Sequence, residues 1–285
     1  MILSFHPCFD ADIQIILGDR SIDSRDIELI HRARAVILPQ GQPQDIYKIC
    51  SKSGVLMFPG YKMRFKYPGK IGQSHLFKEY GFPFPKTLRW KSVKEFKETY
   101  ADLENFPHEI PFLIKANNLH EAEGIYLVED MISLSEALGH LSRYEVSGLW
   151  GFVTQDCVSS GGNVLRAVII GNRVITYWKR PDKSRQIITT ISRGAIIDYL
   201  WRPALQEKGK DQASALLKKT GVNLAAVDFV FPLSDEEPDP LFLEINYYFG
   251  RRGLGGSIKY YGLLFQAIQE WLTEEGLNPK PIRLI

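Results

Sequence analysis

Three oxygen-bearing side chains near the end of the sequence have the types and spacing that suit a divalent cation. Asp228 lies inside the apolar run 224–231, and Glu244 and Asn246 close the next apolar run, 241–246. Alternate residues of a strand point to the same face, so Glu244 and Asn246 should share one face, and a neighbouring antiparallel strand can bring Asp228 to it. Two carboxylates and an amide oxygen are hard ligands, which suit Mg²⁺ and its tendency to bridge phosphates.

An ordinary ion pair is the competing interpretation for each acid taken alone. Acidic side chains in strands are more often exposed beside a lysine than engaged with a metal. Charges inside apolar strands are nevertheless costly to bury unless they are paired or hold a metal. The spacing of all three residues together therefore favours the metal site.

The elements that must position these residues follow from the alternation of apolar and amphipathic segments. In the first part of the chain, apolar runs predict strands at 13–17, 35–38 and 55–58, with helices at 24–34 and 44–52 between them. Strands that alternate with helices indicate a small parallel α/β unit.

The rest of the chain is predicted to be richer in strands. A helix at 69–80 ends at Gly81, and Gly171-Asn172 marks a hairpin turn between two strands. The predicted strands are 111–115, 124–128, 149–154, 164–170, 174–179, 187–191, 225–231 and 241–245, and the further helices are 132–141, 203–220 and 260–275.

Composition narrows the classes of function. The 285 residues include 35 Lys plus Arg and 33 Asp plus Glu, a net charge of +2 that gives no electrostatic reason to expect nucleic-acid binding. The three cysteines, Cys8, Cys50 and Cys157, show no CxxC spacing, which argues against a zinc site or a disulfide framework. No apolar run approaches the roughly 20 residues of a membrane span, and the N-terminus lacks the features of a signal peptide. We therefore expect a cytoplasmic protein without a membrane partner.

The segment 224–246 resembles the signature of the ATP-grasp enzymes, and especially that of the RimK-like glutamate ligases. The shared pattern is an apolar strand with an Asp, a strand that ends in Glu-hydrophobic-Asn, and a glycine-containing loop, here 247–256. The resemblance implies an α/β (α+β) fold of the ATP-grasp type, with a small Rossmann-like domain at the N-terminus. It also implies that Asp228, Glu244 and Asn246 hold two Mg²⁺ ions, which Mn²⁺ can replace, against the phosphates of ATP.

Further family motifs occur upstream in the expected order. Lys70 precedes the Gly-Phe-Pro-Phe-Pro-Lys-Thr step at 81–87 and resembles the first phosphate-contacting lysine. Lys115, at the end of a predicted strand, resembles the lysine that meets the α and β phosphates. The segment 152–158 looks like the hinge that holds adenine, and the residues that the resemblance assigns to the nucleotide there are Gln155, Asp156, Cys157 and Val158.

Two arginines complete the resemblance to the nucleotide site. Arg166, five residues before Gly171, resembles the arginine that contacts the transferred phosphate, and Arg180 resembles a second nucleotide-binding arginine. In the implied mechanism, Lys115 and Arg166 supply fixed positive charge for the transition state.

The resemblance also implies a domain organisation and a reaction. Residues 1–67 would form the pre-ATP-grasp domain and residues 68–285 the ATP-grasp region. Within that region, 84–155 would be the lid and 156–285 the metal- and nucleotide-binding subdomain. The implied activity is that of a carboxylate–amine ligase, in which ATP phosphorylates a small-molecule carboxylate and an amine then displaces phosphate to give an amide. Both substrates would be amino-acid- or peptide-like.

Departures from the family pattern keep two alternatives open. The loop 116–123 contains no glycine, Val164 replaces the family's aspartate, and Thr190 replaces its asparagine. A small-molecule kinase and a catalytically weak nucleotide-binding protein are therefore the alternatives to a ligase. As for assembly, a homodimer is an open possibility, since dimers are common.

Three further arginines are candidate contacts to an acidic substrate: Arg193, Arg251 and Arg252. Guanidinium groups can bind carboxylates through two parallel hydrogen bonds. For Arg251 and Arg252, a solvated basic turn is an equally good interpretation.

Overall fold

The computed structural model of the chain describes residues 1–41, 44–100, 106–119, 123–182, 194–233 and 235–285. Its first unit is a four-stranded parallel sheet with the strand order β3-β1-β4-β5. The elements are β1 (Ile2–Ser4), β2 (Phe9–Asp10), β3 (Ile13–Gln14), α1 (Ser24–Arg32), β4 (Ala35–Ile37), α2 (Gln44–Ser53), β5 (Leu56–Phe58) and α3 (Lys62–Lys66).

The parallel α/β prediction for this unit is confirmed, but its strands differ from those expected. Strand β1 was not predicted, although it is fully buried and pairs with both β3 and β4. The run expected as a strand over 13–17 contributes only two residues to the sheet. Helix α1 begins where expected because Asp23 and Asp26 form a capping box that satisfies the first amide groups.

The second unit is an antiparallel sheet with the strand order β6-β9-β7-β8 and helices packed against it. Its elements are α4 (Gly69–Glu79), β6 (Thr87–Trp90), α5 (Val93–Thr99), β7 (Phe112–Ala116), β8 (Ile125–Val128), α6 (Met131–Val146) and β9 (Phe152–Asp156). Aromatic side chains from both layers fill the core, among them Trp90, Phe96 and Phe152. Their burial fixes β7 and β9, the two strands that carry the predicted nucleotide contacts.

The third unit is a five-stranded antiparallel sheet with the strand order β12-β11-β10-β13-β14. Its elements are β10 (Val164–Ile170), β11 (Arg173–Arg180), β12 (Ile196–Asp198), α7 (Pro203–Thr220), β13 (Leu224–Val230), β14 (Leu241–Asn246), a 3-10 turn (Arg252–Leu254), α8 (Ser257–Glu274) and β15 (Arg283–Leu284). The predicted turn at Gly171-Asn172 joins β10 to β11. The strand expected at 187–191 lies outside the described residues.

Both faces of the five-stranded sheet are covered. Helices α4 and α7 pack on one face through Phe77 and Leu216, while α8 and the N-terminal sheet pack on the other through Ile268 and Phe58. Strand β15 pairs with β2 and ties the end of the described chain to its beginning. Among the described residues, no helix is both long enough and apolar enough to span a bilayer.

Candidate functional site

Strand register brings four of the predicted site residues to one face of the five-stranded sheet. Arg166 lies opposite Asp228, Asp228 lies opposite Glu244, and Asn246 is two residues further along β14. Residues directly opposite in an antiparallel pair have side chains on the same face. A bulge falls between Asp228 and Phe229, and bulges often redirect side chains next to functional sites.

Asp228 is the centre of a buried ionic cluster. Arg166 donates Nε to Oδ1 and Nη2 to Oδ2, both over 2.8 Å, and the Nζ of Lys179 donates to Oδ2 over 2.9 Å. Burial alone would raise the pKa of the Asp228 carboxyl, but Arg166 and Lys179 hold that pKa well below its usual range. Asp228 is therefore ionised at neutral pH.

Glu244 and Asn246 are held in place by an amide from α4. Gln73 accepts from the backbone N of Ile245 over 2.8 Å and donates to its backbone O over 2.7 Å. Strand β14 is at the edge of the sheet, so Gln73 satisfies backbone groups that a further strand would otherwise bind. The two hydrogen bonds fix the residue that lies between the two predicted metal ligands.

Two lysines face this cluster from the opposite wall, which is formed by β7 and α4. Lys115 is 8% exposed and donates its Nζ to Oε1 of Gln155 over 2.5 Å. Burial lowers the pKa of Lys115 to about 8, although Glu244 opposes the shift. Lys70 donates to the backbone O of Leu119 over 2.6 Å, and burial lowers its pKa as well.

A small cavity lies beside the two lysines and is lined mainly by residues of α4, β7 and β9. It has a volume of about 10 Å³, enough for about one water molecule. Its lining residues are Lys70, Gln73, Ser74, Phe77, Phe84, Thr87, Lys115, Val153, Gln155 and Leu243. Sites for small molecules are usually far larger, so this cavity is not by itself a nucleotide site.

The predicted hinge residues differ in burial and in hydrogen bonding. Gln155 is buried and bridges Lys115 to the hydroxyl of Thr87. The backbone N of Asp156 already donates to the O of Lys86, so that amide is not free for adenine in this conformation. Cys157 and Val158 follow as half-buried residues.

Asp156 has a partner that the sequence did not indicate. The Nδ1 of His108 lies 2.5 Å from its carboxylate, and the Nε2 of His108 lies 3.0 Å from the hydroxyl of Thr154. The His108 ring is fully enclosed between Phe106 and Phe112. This imidazole therefore fixes the end of β9 where the predicted hinge begins.

Arg180 does not join the cluster. Its side chain pairs with Asp198 over 2.8 Å and stacks on Trp201, on the face of the sheet opposite to Arg166. The reason is the two-residue period of a strand: Lys179, its neighbour on β11, faces Asp228 instead. The register of β11 against β10 is the signal that identifies Lys179.

Arg251 and Arg252 make no hydrogen bond or ion pair with a described residue of the ionic cluster. Arg251 lies over the rings of Tyr260 and Tyr261, with 4.9 Å and 4.5 Å to the ring centroids. Arg252 is exposed. Arg193 and Thr190 lie outside the described residues. Among the residues that the structure does describe, no group of three or more His, Cys, Asp or Glu side chains could hold a metal.

Comparison with known proteins bears on the fold. No protein-family model matches the sequence, and a search of curated proteins finds no match. In contrast, the chain is similar in structure to a RimK-domain ATP-grasp protein from Sphaerobacter thermophilus DSM 20745, with a TM-score of 0.58 and 13% identity over 92% of this chain and 97% of that one. This chain has the ATP-grasp fold.

Two other ATP-grasp structures are similar over most of the chain. One is the D-alanine-D-alanine ligase of Helicobacter pylori, with a TM-score of 0.58, 17% identity and coverage of 82% of this chain and 71% of that one. The other is the biotin carboxylase domain dimer of the Hydrogenobacter thermophilus 2-oxoglutarate carboxylase, in complex with MgADP, ADP and bicarbonate. It has a TM-score of 0.58 and 16% identity, and the match covers 88% of this chain but only 59% of that one. The predicted fold class is confirmed.

Proposed function

We propose that this chain is an ATP- and Mg²⁺-dependent carboxylate–amine ligase. The observation that carries the proposal is the cluster of Arg166, Asp228, Glu244 and Asn246 on one face of the sheet, opposite Lys70 and Lys115. Acids and cations on facing walls are the arrangement required to bind a triphosphate together with its metal ions. The ATP-grasp fold adds support, because the similar biotin carboxylase domain was crystallised with MgADP.

The triphosphate is proposed to lie between the two walls. Lys115 and Lys70 donate to neutral oxygens, those of Gln155 and Leu119. A phosphate oxygen is a stronger acceptor for a buried ammonium, since charge-assisted hydrogen bonds are roughly twice as strong as neutral ones. Exchange of these partners for phosphate would draw the nucleotide into the site, with adenine beside the hinge residues Gln155, Asp156, Cys157 and Val158.

The donor set fits magnesium. Asp228 is ionised, Glu244 is half-buried on the same face, and Asn246 can present its amide oxygen because its Nδ2 is the atom that faces Asp228. These three residues would hold the ions. Bound Mg²⁺ would supply neutralisation of the phosphate charge and alignment of the attacking and leaving oxygens.

The proposed reaction has two steps. An oxygen of the substrate carboxylate attacks the γ-phosphorus, and ADP leaves to give an acyl phosphate. The amine nitrogen then attacks the acyl carbon, loses its proton, and releases inorganic phosphate as the amide forms. Arg166 and Lys115 stabilise the transferring phosphoryl group through fixed charges, so no side-chain nucleophile is required.

The acid and amine substrates are proposed to be amino-acid- or peptide-like. Arg251 and Arg252 lie in the loop that follows β14 and the metal-binding residues. Their guanidinium groups are the proposed contacts for a substrate carboxylate, together with Arg193.

Weak turnover is the second candidate, and one contact favours it. Lys70, a proposed phosphate ligand, donates to the backbone O of Leu119 in the loop 116–123. That loop lacks the glycines that would let backbone amides surround a phosphate. In this alternative, the protein binds nucleotide but transfers phosphate slowly or not at all.

A screen for ADP release with amino acids and short peptides tests the proposal. A ligase releases ADP and inorganic phosphate only when acid and amine are both present. A kinase releases ADP and leaves phosphate on the substrate, and a binding protein releases neither.

The matched variants for this screen are Glu244→Gln and Arg173→Met. Glu244→Gln removes a proposed ligand without disturbing the buried ion pairs, and we expect at least a 100-fold loss of Mg²⁺-dependent turnover, within the range known for removing a single charge-stabilising group. Arg173→Met removes an ion pair with Glu270 at the other end of β11 and should leave turnover unchanged. Full activity of Glu244→Gln would refute the metal assignment.

A further inference from the structure

Lys179 is a buried cation on the face of the sheet that carries the site. Its side chain is 5% exposed, and its Nζ lies 2.9 Å from Oδ2 of Asp228. Within the part of the chain that the structure describes, this is the only hydrogen bond made by the ammonium. Asp228 is thus the partner that keeps a charged lysine in the interior.

The oxygens of Asp228 are almost fully occupied by this arrangement. Each carboxylate oxygen accepts about two hydrogen bonds. Oδ2 accepts from both Arg166 and Lys179, and the amide of Asn246 lies a further 3.4 Å away. Among the described residues, Oδ1 accepts only from Arg166. A divalent cation that needs Oδ2 must therefore compete with the ammonium of Lys179.

The register of the sheet accounts for the choice of partner. Val164 on β10 lies directly opposite Lys179 on β11. A valine at this cross-strand position offers no anion, and the acid that Lys179 reaches is Asp228, which lies directly opposite Arg166, two residues along β10 from Val164. Lys179 therefore extends across β10 to reach β13.

We propose that Lys179 controls access to the metal site by exchanging its bond to Asp228 for a phosphate oxygen of the nucleotide. This inference rests on the proposed function. Without nucleotide, the ammonium occupies Oδ2 and repels a divalent cation. When a polyphosphate is present, Lys179 gains a new anionic partner and Asp228 becomes available as a ligand. Metal and nucleotide then bind with positive coupling, and each raises the affinity for the other by the same factor.

The test measures Mn²⁺ binding without nucleotide, from the electron paramagnetic resonance signal of free Mn²⁺. We expect Lys179→Met to bind Mn²⁺ about tenfold more tightly than the wild type, a typical size for coupling between sites. Lys115→Met is the matched control, because it removes an equally buried cation that faces the site but makes no bond to Asp228. The charge of Lys115 acts on the metal site only through space, where the effective dielectric is higher. We therefore expect Lys115→Met to change Mn²⁺ affinity by less than about threefold.

The second measurement adds AMPPNP, a non-hydrolysable ATP analogue, and corrects for the Mn²⁺ that the analogue binds in solution. The factor by which AMPPNP raises Mn²⁺ affinity should fall about tenfold in Lys179→Met. If that variant does not fold, Lys179→Gln keeps a donor without the charge and should show the same two changes.

The outcomes separate this inference from the proposed function. Wild-type protein that binds no AMPPNP in the presence of Mn²⁺ overturns both. A different result would overturn the role of Lys179 but leave the proposed function standing. In that case the wild type binds AMPPNP, while Lys179→Met binds Mn²⁺ without nucleotide no more tightly than the wild type does. An equal gain in Lys115→Met would also overturn it, because general charge would then explain the result.

Discussion

The two walls of the site hold their charges in different ways. On the five-stranded sheet, Asp228 is bonded to both Arg166 and Lys179, so the charges are largely compensated. On the opposite wall, Lys115 and Lys70 donate only to neutral oxygens and form no ion pair with another described residue. One wall is therefore already compensated, and the other keeps uncompensated positive charge. Attraction for a polyanion should come mainly from the wall of β7 and α4.

The largest effect should come from removing the acid of the compensated wall. Asp228→Asn leaves two buried cations without their partner, and removing one member of a buried pair costs about 3–5 kcal/mol in the free energy of unfolding. Asp198→Asn is the matched control, since its pair with Arg180 is partly exposed to solvent and should contribute far less. Urea denaturation measures both variants. Equal losses in the two would show that the charges around Asp228 are not buried as described.

A second prediction concerns the cost of burying Lys115. Its pKa falls to about 8 in the folded protein from its ordinary value of 10.5. Between these two pH values the unfolded chain binds a proton that the folded protein does not, so wild-type stability should rise with pH there. The gain should be on the order of 3 kcal/mol, from about 1.4 kcal/mol per pKa unit.

Lys115→Met should lack this rise. The measurement is the difference in the free energy of unfolding between variant and wild type, taken at pH 7.5 and at pH 10.5. In the variant, Gln155 loses its hydrogen-bond donor at both pH values. This cost is the same at each pH, so it cancels when the two differences are compared. Parallel pH profiles for both proteins would contradict the assigned burial of the ammonium.

The link between the walls is Gln73, and its loss should have a smaller effect. Gln73→Ala removes two hydrogen bonds to the backbone of Ile245, each worth about 1 kcal/mol. We expect a loss of about 1–2 kcal/mol in stability, together with weaker binding of Mn²⁺ and AMPPNP as the metal strand loosens. Asn172→Ala, which removes an exposed amide bonded to Glu274, serves as the control. Unchanged metal affinity in Gln73→Ala would show that β14 keeps its position without the amide.

The smallest expected signal is proton uptake on nucleotide binding. At pH 8, Lys115 is about half deprotonated, and a bound phosphate would raise its pKa, so AMPPNP with Mg²⁺ should take up about half a proton. Calorimetry in two buffers of different ionisation enthalpy measures this uptake. Lys115→Arg, which stays charged, should show none, and uptake that persists in it would assign the proton to another group.

Much of the site could be predicted from sequence because its signals are local. The two-residue period of a strand placed Glu244 and Asn246 together, and apolar runs on either side located β13 and β14. Gly171-Asn172 identified the hairpin that sets Arg166. These predictions depend on neighbours within a few residues, where backbone geometry fixes the outcome.

The missed features depend on exact register or on distant contacts. Arg180 and Lys179 are adjacent, yet they point to opposite faces, so a motif match at Arg180 selects a cation that lies outside the ionic cluster. Gln73 meets Ile245 from 172 residues away, and His108 meets Asp156 from 48 residues away. Strand β1 has only three residues, too few to show a period, and its identity as a strand comes from its two neighbours in the sheet.

The amide of Gln73 and the backbone carbonyl of Pro83 also cover the edge strand of the five-stranded sheet. The N of Phe242 donates to the O of Pro83, while Gln73 binds both backbone groups of Ile245. An open edge strand rich in apolar residues invites pairing with another molecule and growth into aggregates. By occupying these groups, α4 and the proline-rich segment after it keep the strand that carries the acids from recruiting a second chain.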